Sequence, residues 1–162
     1  MGTYKTRIFG ELTIDETSDY EYFDLYYKEK PMYISLSGFS DQKEKILQCL
    51  KIIDRYDEIH EMSKSAIAEN FAADEVIQYY FKFHFETLEK ETIQELFGVS
   101  EFDNFSIEKA AEKMEYPDLV FSLEYEEISL SVDYRVSKEY SDEVLSIKMD
   151  ENLTILEFSR EN

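Results

Sequence analysis

The sequence predicts an α+β fold: one largely antiparallel sheet of three N-terminal and four C-terminal strands, with a middle block of helices packed on one of its faces. Three observations predict it. Both ends of the chain alternate apolar and polar side chains with period two, whereas apolar residues in the middle recur with the helical period. Strands cluster with strands and helices with helices, which is the α+β order. Four glycines and two prolines among 162 residues leave little room for linkers, so residues 1–162 read as a single domain. That length buries a real core without disulfides or metals.

Taken in order, "TRIFGELTI" places Ile8, Leu12 and Ile14 on one parity, with Gly10 between them. "YEYFDLYYK" turns Phe23, Leu25 and Tyr27 inward and leaves Tyr20, Tyr22, Asp24, Tyr26 and Lys28 on the other face. "EKP" then turns the chain. "MYISLSG" follows with Met32, Ile34 and Leu36 inward and Tyr33, Ser35 and Ser37 outward, which completes a hairpin. Ser40 is placed to cap the helix "DQKEKILQCLKIIDRY". "DEIHEMSKSAIAENF" continues or restarts that helix. In "DEVIQYYFKFHFETLEK", Ile77, Tyr80, Phe81, His84, Phe85 and Leu88 form a full core-facing stripe. "KETIQELFG" is a short helix with Gly98 at its C-cap, and Ser106 caps "FSIEKAAEKM".

Four strands close the chain. Leu119, Phe121, Leu123 and Tyr125 share one face, as do Ile128, Leu130, Val132, Tyr134 and Val136, with Ser129, Ser131, Asp133 and Arg135 opposite. "EVLSIKM" turns Leu145, Ile147 and Met149 inward, and "LTILEFS" turns Leu156 and Phe158 inward. Such alternation gives a sheet with one dry and one wet face.

Charge is the extreme feature. Seventeen Lys and Arg against 37 Asp and Glu give a net charge of −20. That field repels nucleic acid and anionic lipid and speeds encounter with basic partners. No stretch has the apolar length of a membrane span or signal peptide, and one cysteine, Cys49, cannot form an internal disulfide. The chain reads as cytoplasmic.

Motifs for chemistry are missing. Two histidines and one cysteine make no zinc pattern, and no glycine-rich phosphate loop or nucleophile elbow occurs. No cofactor, metal or catalytic residue is expected. His84 belongs to the core stripe, and His60 beside Glu61 reads as a surface pair. The acids at Glu124, Glu126 and Glu127 fall at a strand turn, where charges stay solvated.

The remaining functional clue is aromatic. Phe9, Tyr22, Tyr26 and Tyr33 are expected to share the wet face of the sheet. Cross-strand ring pairs stabilise a sheet, and tyrosine also gives large contact area at low entropic cost in interfaces. With the charge, this points to a non-enzymatic protein-binding module acting on a basic partner, an immunity-type inhibitor being one form. A housekeeping or homodimeric interaction protein is the alternative, and an enzyme of unrecognised type the third reading.

Two segments, "IFGELTID" and "YPDLVFSLEYEEISLSVDYRVSKEYSDEVLSIKMDENLTILEFS", resemble a bacterial family of small acidic cytosolic proteins, the domain-of-unknown-function family two-thousand-and-four. The resemblance implies an α+β domain and a bacterial source. It carries no catalytic or binding residue to transfer.

Overall fold

The computed structural model describes residues 1–162. Eight strands and five helices follow the order strands, helices, strands. β1 (Gly2–Thr6) and β2 (Gly10–Ile14) form a separate two-stranded hairpin. β3 (Tyr20–Tyr27), β4 (Lys30–Ser37), β5 (Asp118–Glu124), β6 (Glu127–Tyr134), β7 (Val144–Asp150) and β8 (Ile155–Glu161) form one six-stranded sheet in that order. Between β4 and β5 lie α1 (Lys43–Ile53), α2 (Tyr56–Asn70), α3 (Glu75–Thr87), α4 (Lys90–Phe97), a 3-10 turn (Phe102–Asn104) and α5 (Ile107–Lys113).

The sheet is mixed, which corrects the expected arrangement of three and four largely antiparallel strands. Four pairings are antiparallel, but β4 and β5 run parallel from Ile34 opposite Leu119 to Ser37 opposite Ser122. A parallel pair needs a long crossover, and the helical block supplies it. The first predicted strand is also corrected. Its chain reverses at Arg7–Phe9, where Thr6 Oγ1 accepts from Phe9 N–H and donates to the Gly10 carbonyl. Gly10 sits at φ +71°, which glycine reaches without steric cost.

One face of the sheet is dry. Ile34, Leu119, Phe121, Val132 and Ile147 are all buried in one cluster of 34 residues, shared with Ile53, Ile59, Ile67, Ile77 and Phe81 of the helices. Phe71, Phe81, Phe85, Phe97, Phe102 and Phe105 make a second aromatic centre under α3 and α4, mostly edge-to-face or tilted at 5–6.5 Å.

Two buried tyrosine hydroxyls find backbone partners. Tyr56 donates to the Pro117 carbonyl at 2.7 Å, and Tyr80 donates to the Glu143 carbonyl at 3.1 Å. His84 is sealed in the core stripe, with Nδ1 2.8 Å from the Tyr80 carbonyl and Nε2 2.7 Å from Ser141 Oγ.

Local signals explain three of the helix ends. Asp74 caps α3 through the N–H groups of Val76 and Ile77, Ser106 caps α5, and Gly98 ends α4 at φ +75°. Ser40 does not cap α1, because its hydroxyl donates instead to the Thr17 carbonyl, and Gln42 takes the cap position. Tyr125, 97 % exposed in the turn after β5, is also corrected, and so is Leu156, which is 61 % exposed. The pairing slips by one residue between Lys148 and Met149, and Ile155 turns to Met149 in its place.

Candidate functional site

The wet face of the sheet holds three of the four expected aromatics. Tyr22 lies opposite Ser35, and Tyr33 lies opposite Asp24. The rings of Tyr22 and Tyr33 stack at 5.0 Å and 28°. Tyr26 is 72 % exposed, and Tyr20 on the same strand is exposed as well. Burial and the nearby Asp118 push the Tyr33 phenol up to about 12. Phe9 is not on this face. It lies in the β1–β2 turn with its ring edge-on to Tyr56 at 5.5 Å and Tyr27 at 6.4 Å. The strand expected to carry it outward turns at that point.

From the tyrosines the face crosses a floor of small polar residues. One row runs Tyr22, Ser35, Val120, Ser131, Lys148, Glu157, and the next runs Tyr20, Ser37, Ser122, Ser129, Asp150. Ser122 and Ser129 share a 2.6 Å hydrogen bond. Exposed carboxylates ring this floor at Asp24, Glu124, Glu127, Glu157 and Glu161. Asp118 is buried beneath Tyr33, accepts from Tyr33 N–H at 2.8 Å, and pairs with Arg135 at 3.3 Å and Lys138 at 3.4 Å. Burial nevertheless raises its carboxyl above the usual range. The hairpin tip at Tyr125–Glu126 leaves Glu124 and Glu127 facing each other in solvent, as expected for charges at a turn.

A second feature lies at one end of the sheet. A cleft of about 840 Å³ opens between the β3–β4 turn, α2, the end of α5 and the segment after β6. His60 of α2 lines it and is only 8 % exposed, so the expected surface pair with Glu61 does not describe it. Its imidazole stacks on Tyr134 at 5.8 Å and meets the edge of Tyr116 at 5.2 Å. The Tyr134 hydroxyl stands 2.8 Å from Nδ1 and 3.3 Å from the His60 carbonyl. Burial, then the charge of Lys64, push His60 down to about 4, so it is neutral near pH 7.

Five lysines line the cleft: Lys28, Lys30, Lys64, Lys113 and Lys138. Lys64 is held at 3.0 Å by Glu61 and at 3.2 Å by Glu112. Burial works against its charge, but the two carboxylates outweigh it and raise its pKa. Lys138 donates to the Pro31 carbonyl at 2.7 Å. Tyr27 donates to Asp57, which fixes the wall below Lys28. The sequence concealed this cleft because its residues come from four distant segments. The local signal was the spacing Asp57, His60, Glu61, Lys64, which puts all four on adjoining turns of one helix.

Cys49 is fully buried, and burial pushes its thiol far above the ordinary range. No grouping of three or more acidic, histidine or cysteine side chains is set to hold a metal ion, and no helix is long and apolar enough to cross a membrane. No family model, no curated protein and no solved structure matches the chain.

Proposed function

We propose that this chain is a non-enzymatic protein-binding module that engages a basic partner through the uncovered face of its six-stranded sheet. The observation that carries the reading is the Tyr22–Tyr33 stack at the edge of a serine floor ringed by carboxylates. The stacked rings lose little freedom on docking, and their faces accept arginine. The serines let a partner's backbone approach closely, and the net charge of −20 draws cationic surfaces in. A bacterial immunity-type inhibitor of a basic nuclease is the form that best uses such a face, acids standing where phosphates would.

The test is a tagged pull-down from the native cell lysate at low and at high salt. A single basic protein is expected, lost at high salt and lost again with Tyr22→Ala plus Tyr26→Ala. Recovery of the chain alone at both salts overturns the reading. A homodimer is the second reading, favoured by the exposed tyrosines of the edge strand β3. Salt would strengthen that association by screening two like-charged subunits, so sedimentation at two ionic strengths separates the readings.

A further inference from the structure

We propose that an extended basic segment of the partner adds to β3 as a seventh strand, with one of its cations facing Asp24. This rests on the partner-binding reading above and names how the partner is held.

The backbone of β3 is open along one side. β3 is an edge strand whose sole strand partner is β4, and no backbone group from Glu21 to Tyr27 bonds outside that pair. The two-residue turn makes Tyr27 and Lys30 a pair that exchanges both backbone bonds, and the pairs alternate from there. Tyr33, opposite Asp24, has the matching phase: its N–H points away from β3, to Asp118. Phe23 and Leu25 therefore bond to β4, while Tyr22, Asp24 and Tyr26 turn their N–H and C=O groups outward. These same three residues carry the exposed side chains of the strand.

The two edges of the sheet differ. The pairing of β8 slips at Lys148 and Met149, and Glu157, Arg160 and Glu161 lie along it, which discourages a further strand. β3 keeps register over all eight residues and holds no proline and no lysine. Its charges are Glu21 and Asp24, with no cation in the strand. Lys28 follows the strand, with Nζ over the Tyr27 ring at 5.2 Å, and Lys138 is held by Asp118 and the Pro31 carbonyl. A second copy centred on Asp24 would set that carboxylate against its own twin, which is unfavourable. A cation opposite Asp24 lies instead between the rings of Tyr22 and Tyr26. On the other face, Phe23 and Leu25 are only half-buried, whereas Ile34 and Leu119 further in are sealed. An added strand with apolar residues opposite Phe23 and Leu25 covers them. The segment that fits therefore alternates basic and apolar residues.

The test is amide hydrogen exchange by NMR, with an acetylated, amidated octapeptide of alternating valine and arginine as the probe. In the free chain the amides of Tyr22, Asp24 and Tyr26 should exchange fast and those of Phe23 and Leu25 slowly. The peptide should bind with half-saturation at about 1 mM or below. At ten times that concentration the three fast amides should slow by about tenfold. Asp24→Lys should weaken binding by about tenfold or more, with unchanged shifts elsewhere as the check on its fold. Equal protection by the matching valine–glutamate peptide overturns the proposal. So does slow exchange of the three amides without peptide, accompanied by a dimer in sedimentation, which would give β3 to a second copy. Shifts at the Tyr22 and Tyr33 rings with all three amides still fast would overturn strand addition and leave the partner-binding reading standing. No response to the arginine peptide also overturns strand addition, and the pull-down then decides the partner reading by itself.

Discussion

Asp133 stands on the wet face of the sheet, opposite Asp118 on one side and Ser146 on the other. Burial pushes its carboxyl up to about 6, with the charges of Glu161 and Asp118 acting the same way against the Ser146 hydroxyl and Lys148. Its folded pKa lies above the unfolded value of 3.8. The associated stability is therefore fully present below pH 3.8 and is lost as the pH rises through 6. Asp133→Asn should raise stability at pH 7 by about 2 kcal/mol, allowing for partial exposure, and the gain should vanish toward pH 3.8. Urea unfolding of both proteins across that range checks it. At this scale the tyrosines were legible, because strict alternation fixes which of Tyr22, Tyr26 and Tyr27 face inward. His60 was not, since burial of a helix residue depends on what the rest of the chain lays over it. Phe9 failed for a related reason: a turn of three residues changes which direction a side chain points, and nothing in "RIF" announces it.

At the scale of elements, both tight hairpins are built without their preferred residues. Tyr125 and Glu126, at φ 52° and 69°, repeat the geometry of Lys28 and Glu29. Two-residue loops with both central φ values positive match the twist of the flanking strands, and asparagine followed by glycine adopts them with least cost. Tyr125→Asn with Glu126→Gly should stabilise the fold by about 1 kcal/mol, read as a higher urea midpoint at unchanged slope. The substitutions leave Tyr22, Tyr26 and Tyr33 in place, so partner binding should be retained. The strands and helices were legible because periods of 2 and 3.6 are distinct in this chain. What was hidden is where a short polar hydroxyl is used. Ser106 caps its helix as its position suggests, while Ser40 is drawn to Thr17 by the packing of the chain that precedes it. The Leu156 slip was hidden too, since a bulge depends on how two strands pair and not on either one.

At the scale of the whole molecule, a charge of −20 on 162 residues repels itself in the folded state more than in the expanded one. Raising sodium chloride from about 0.05 M to about 0.5 M should therefore raise the melting temperature by about 3 °C or more, measured by circular dichroism. A melting temperature that falls with salt would mean that the eight ion pairs matter more than the net charge. The direction of the β4–β5 pairing was beyond the reach of pattern, because alternation reads the same along a strand either way. That pairing has a kinetic consequence. The β3–β4 hairpin and the β5–β8 meander each close through local contacts, but they join only after all five helices between Ser37 and Asp118 have been spanned. The loop-closure entropy of the sheet is concentrated in four residue pairs. The two halves can each form early, and the seam between them sets the pace at which the native state is reached.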